Sequence, residues 1–128
     1  MSEFSNYLEN ALIDAILRNT TYTSPATVYV GLFTSDPTDA GTGTEVSGGS
    51  YARKSATFGE PSNGVATSNA NIVFNQATAS WGVITHIGIF DALTAGNLLF
   101  HTPLDIAKTI TTDDVFQILS GSLTVTLS

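Results

Sequence analysis

The residues of widest chemical range in this sequence are its two histidines, His86 and His101, and its scattered carboxylates. A zinc site needs three or four nitrogen, sulfur or carboxylate ligands converging on one point. Fifteen residues separate the two histidines, they fall on different expected strands, and spacing marks no third ligand. His86 lies between Thr85 and Ile87 in an apolar run, so both histidines read best as hydrogen-bonded sheet residues. Asp36, Asp39 and Glu45 carry oxygens of the kind calcium takes, but without the spacing of a calcium loop they read as turn caps. Asp113-Asp114 is a carboxylate pair whose side chains point apart, and it reads as a turn former. There is no G-x-S-x-G nucleophile turn. Gly41-x-Gly43 and Gly48-Gly49 lack both the lysine and the following helix of a phosphate-binding loop. The expectation is therefore no enzyme, no cofactor and no metal.

Charge narrows the partners. Four Lys and Arg stand against eleven Asp and Glu, a formal charge of −7. Phosphate backbones are bound by clustered basic residues, and only Arg53 and Lys54 are adjacent, so nucleic acid is not expected as a partner. In a strand these two point to opposite faces, either solubilising a sheet edge or pairing with an acidic neighbouring subunit. Trp81, the single tryptophan, precedes the most apolar segment and reads as a core anchor or an interface anchor. No run reaches the roughly 18–20 apolar residues that span a bilayer, no basic leader precedes an apolar stretch, and cysteine is absent. Membrane insertion and a disulfide framework are not expected.

The elements that must position these residues form one domain over 1–128. Residues 1–19 contain a helix from about Phe4 to Arg18, with Ser2 or Ser5 as cap and Asn19 as stop. Phe4, Tyr7, Leu8, Ala11, Leu12, Ala15 and Ile16 recur at helical spacing, and Ile13 and Leu17 widen the stripe. Residues 27–128 read as a β-sandwich or open barrel of about seven short antiparallel strands. Thr27–Thr34 is apolar on both faces and should be central. Segment 35–50 is rich in Gly and Thr and reads as a long exposed loop, dispensable for folding but used in partner contact. Asn63-Gly64 is the strongest hairpin signal. Val83–Phe90 should alternate strictly, Pro103 should end the strand begun at Leu98, and Leu123, Val125 and Leu127 should point inward.

Three stretches carry a resemblance. The opening Phe4-Ser-Asn-Tyr-Leu-Glu-Asn10, the segment Tyr29 to Arg53, and Ala79 to Asp91 resemble a family of small tailed-bacteriophage virion proteins usually labelled tail fibre proteins. Gly88-Ile-Phe-Asp-Ala92 followed by Gly96-Asn-Leu-Leu99 is similar to a hairpin of phage tail and collar fibres, where the aspartate opens the turn and the glycine closes it. The resemblance implies a structural subunit of the virion, assembled with other virion proteins and with copies of itself. Similar small phage proteins serve as head decoration, which makes capsid cementing the alternative. A glycan-binding module that meets the host surface is a second alternative. On any of these readings the candidate assembly contacts are Leu8, Leu12, Ile16, Arg53, Lys54 and Trp81.

Overall fold

A computed structural model describes residues 2–127. The N-terminal segment divides at Ser5. Glu3–Phe4 (β1) is extended, and the following helix α1 runs Asn6–Leu17. The Ser5 hydroxyl accepts from the Leu8 N–H at 3.1 Å, satisfying one of the donors that a helix start leaves open. Asn19 follows the helix in the left-handed region, φ 54°, as a helix stop requires. Phe4, expected in the helix, instead pairs opposite Phe100 and meets its ring edge-on at 5.1 Å.

Eight further strands follow: β2 (Val28–Phe33), β3 (Lys54–Ala56), β4 (Val65–Thr67), β5 (Ile72–Val73), β6 (Gly82–Phe90), β7 (Leu98–Ile110), β8 (Gln117–Ile118) and β9 (Thr124–Thr126). Five form one antiparallel sheet in the order β1-β7-β6-β2-β3, while β4–β9 and β5–β8 form two-stranded ribbons. The main core lies between sheet and ribbons, with Val30, Leu32, Ile84, Ile87 and Ile89 meeting Ile72, Phe74, Phe116, Ile118 and Leu123. The fold is mainly β with one N-terminal helix, as the sequence pattern indicates. β2 is central, flanked by β6 and β3, and four of its six residues are buried.

Four local expectations change. A register shift between Ile84 and His86 breaks the alternation of β6, so Ile84 joins Ile87 and Ile89 in the core instead of lying with His86. Pro103 does not end its strand. It sits opposite His86 at that irregularity, and β1 pairs only with Phe100 and His101, so no ladder bond is asked of the missing N–H. At Asn63-Gly64 the chain does turn, with both residues at positive φ and Ser62 bridged to Val65, but β5 pairs with β8 and not back onto β3. In β9 the inward set is graded: Leu123 is buried, Val125 half-buried and Leu127 exposed.

The largest change concerns segment 35–50. Thr34 donates to the Thr44 carbonyl and Val46 to the Leu32 carbonyl, both at 2.9 Å, so residues 44–46 continue the edge of β2 where β3 stops. Val46 and Pro37 are buried. Gly49 supplies the carbonyl that Trp81 Nε1 meets at 2.9 Å. A segment with few apolar residues is thus woven into the core by its backbone, and its expected dispensability for folding gives way to the opposite expectation.

Candidate functional site

Two clusters of charged and polar side chains border this woven segment. The first is built on Arg53. Its Nε and Nη2 donate to the two Glu45 carboxylate oxygens at 2.9 and 2.8 Å, a bidentate pair. Its Nη1 donates to the carbonyls of Ala92 and Ala95 at 2.9 and 2.8 Å, and its guanidinium lies 3.5 Å from the Phe90 ring centre. The carbonyls belong to the turn that Asp91 opens, where Asp91 Oδ1 accepts from Asn97 N–H at 2.7 Å and Gly96 has φ 72°. Glu45 also accepts from the Tyr51 hydroxyl at 2.6 Å, and that hydroxyl accepts from Leu32 N–H at 2.9 Å. Burial, and then the Glu45 hydrogen bond, push the Tyr51 phenol well above its ordinary range. Gly31 makes the space, since a Cβ there would lie 2.7 Å from Glu45 Oε2.

The second cluster is centred on His101, only 3% exposed. Its Nε2 is 2.8 Å from Asp39 Oδ1 and 3.7 Å from Glu3 Oε2, and its Nδ1 is 3.9 Å from Asp36 Oδ1. The same Asp36 oxygen lies 4.0 Å from His86 Nε2, whose ring hydrogen-bonds the Thr85 hydroxyl through Nδ1 at 2.8 Å. The backbone fixes these neighbours. Glu3 is the register partner of His101, and Asp39 holds the helix start by accepting from Asn6 N–H at 2.8 Å. Among the described residues, Glu3, Asp39 and His101 offer ligand atoms that all lie within 4.8 Å of one another, close enough to meet on one metal ion.

The candidate assembly contacts separate into two groups. Arg53 is buried, and its donors go to Glu45 and the 92–95 turn of its own domain. Trp81 is 5% exposed and edge-on to Tyr51, a core anchor. Leu8 is buried at the first turn of the helix. Lys54 is half-buried and donates to Asn75 Oδ1 at 2.7 Å. Leu12 is half-buried, whereas Ile16 is 76% exposed beside the exposed Ile13 and Leu17. The helix therefore anchors its first turn on its own domain and presents its last turns to solvent.

Two concavities add to this surface. One of about 910 Å³ runs between the outer half of β7 and the chain from Asp114 to Thr126. The other, about 280 Å³, is apolar and includes Val28, Phe58, Ile89, Leu99, Phe100 and Val125.

Sequence reasoning singled out some members of the His101 cluster, but not Glu3 and not the cluster itself. Asp36 and Asp39 stand out as oxygen ligands and His101 as an imidazole; only the β1–β7 register and the path of the 35–50 segment bring them together.

Fold and clusters define a class: a small antiparallel β domain whose polar networks hold its own loops, with apolar side chains exposed at the end of the helix and along the outer strands and loops. Among the described residues no helix is long and apolar enough to cross a membrane. The family model described as Podophage GP4 fiber I protein gp80 matches residues 3–126, and the chain belongs to that family. No curated protein matches the chain. The likeness to small tailed-phage fibre proteins seen in the sequence is thereby borne out, and the protein is a phage fibre-type virion component.

Proposed function

We propose that the chain is a non-enzymatic structural subunit of the tail apparatus of a phage particle, working through assembly with other virion proteins and with copies of itself. The match to a podophage fibre family over nearly the whole chain carries this reading. The surface supports it. The end of α1 displays Ile13, Ile16 and Leu17 with Leu12 behind them, an apolar strip of the kind that protein contacts bury. Leu12 and Ile16 are the contact residues of this proposal. The four basic residues form no cluster for phosphate, because Arg53 is internal, Arg18 lies 3.6 Å from Asp14, Lys54 is held by Asn75, and Lys108 stands exposed on β7.

Purified particles labelled with an antibody against the chain provide the test. Labelling confined to the tail, at a few copies per particle, is the expected result. Labelling spread over the capsid at its full lattice complement would overturn the tail assignment and give the protein a cementing role. Hydrolysis of a polysaccharide or peptidoglycan panel, lost on mutation of one carboxylate, would overturn the non-enzymatic reading.

A further inference from the structure

We propose that Glu3, Asp39 and His101 form a binding site for one divalent transition-metal ion of the zinc type, which fastens β1 and the 35–50 segment to β7. The geometry is the first reason. A tetrahedral zinc ion with bonds of about 2.0–2.2 Å sets its ligand atoms about 3.3 Å apart. The two distances from His101 Nε2, 2.8 Å to Asp39 Oδ1 and 3.7 Å to Glu3 Oε2, bracket that spacing. An ion between them replaces the hydrogen bond to Asp39, and the neutral imidazole that binds it through Nε2 carries its one N–H on Nδ1. One coordination position remains for water.

The second reason is charge. Glu3, Asp36 and Asp39 converge on this spot, and among the described residues their only ion-pair partners are the imidazoles of His86 and His101. Arg18 and Arg53 pair with other carboxylates. In a chain of net charge −7, three carboxylates without a lysine or arginine partner are a place for a cation.

The third reason is support around the ligands. His101 is buried, with Nε2 toward Glu3 and Asp39 and Nδ1 toward Asp36, so a carboxylate faces the nitrogen that does not bind the ion. Glu3 is positioned by its register with His101 and Asp39 by its carbonyl bond to Asn6, so two of the three ligands sit on backbone already held. An imidazole with two carboxylates favours zinc, cobalt or nickel over calcium and magnesium, which prefer sites made wholly of oxygen.

The full chain, stripped with a chelator and returned to chelator-free buffer, tests this with Zn²⁺ and Co²⁺ as probes. Calorimetry is expected to show one Zn²⁺ per chain, Co²⁺ to develop visible absorption, and Zn²⁺ to raise the melting temperature. Glu3→Gln removes an exposed ligand without touching the core, and should weaken Zn²⁺ binding about tenfold or more. Glu3→Gln combined with Asp39→Asn should abolish the cobalt spectrum while the stripped proteins keep the same circular dichroism. Absence of stoichiometric binding in the wild type would overturn the site, as would equal Zn²⁺ binding by wild type and the double variant.

Discussion

Segment 35–53 and the last turns of α1 are near opposites. The first is polar and glycine-rich, yet it buries Pro37, Val46 and Arg53 and supplies the acceptor for Trp81. The second is apolar at helical spacing, yet Ile13, Ile16 and Leu17 face solvent. The difference lies in what each can bond to. The polar segment meets a sheet edge with open N–H and C=O groups, and it satisfies them by backbone pairing and by the Tyr51 hydroxyl on Leu32. The helix brings its own hydrogen bonds and needs only apolar surface, of which the domain covers the first turn. Buried position follows from bonding geometry as much as from side-chain polarity.

The sharpest way to break this comparison is at Arg53. Arg53→Ala leaves Glu45 behind with one cationic partner gone and removes the donor to two turn carbonyls, so stability should fall by about 3–5 kcal/mol in urea unfolding. A loss under about 1 kcal/mol, the size of an exposed ion pair, would return Arg53 to the surface. Replacing residues 39–49 by a short Gly-Ser linker removes Glu45, Val46 and the Gly49 carbonyl together. Its thermal melt should drop at least as far as that of Arg53→Ala, or the segment is a loop after all.

Trp81→Phe probes the same segment from the core side. The ring is largely replaced, but the Gly49 carbonyl keeps only its bond from the Thr78 N–H at 3.0 Å, so the loss should be that of one hydrogen bond, about 0.5–1.5 kcal/mol. Tyr51 adds a pH signature. Its phenol stays protonated in the folded protein above the ordinary value of 10.0, while in the unfolded chain it titrates there. The folded state then holds the extra proton, so stability is intact below about pH 10 and falls as pH rises beyond it, by about 1.4 kcal/mol per pH unit for one proton. Tyr51→Phe should flatten that alkaline fall without removing it, since burial also raises Tyr22. An unchanged slope would mean that Tyr51 titrates freely.

The legible part of this protein is the part governed by period and turn chemistry. The helix with its Ser5 cap, the central β2 and the Asp91–Gly96 turn all follow from local residue types. What escapes is set by partners distant in sequence. The register shift at Ile84/His86 and the passage of β7 through Pro103 depend on each other across two strands, and neither is encoded in one strand's pattern. The His101 cluster draws on residues 3, 36, 39, 86 and 101, whose nearness exists only once the sheet order is known. Arg53 reads as an edge charge because its acceptors, Ala92 and Ala95, lend only backbone carbonyls and leave no trace in side-chain type.

The smallest effect on stability is expected where the proposed effect on assembly is greatest. Ile16 is 76% exposed and Leu17 77%, so replacing either by glutamate removes almost no buried area within the domain. Surface substitutions of this kind change stability by no more than about 0.5 kcal/mol. If the end of α1 is a contact, however, the new carboxylate must be desolvated against apolar surface, with no partner to pair it. Ile16→Glu should therefore melt like the wild type and yet be lost from purified particles, with Leu17→Glu in parallel and Glu9→Gln, earlier on the helix and exposed, incorporated normally. A wild-type level of Ile16→Glu in the particle would move the contact off the helix. A lowered melting temperature would show instead that the last turns pack within the domain in solution. Only the combination of unchanged folding and failed incorporation makes the exposed end of the helix an assembly surface.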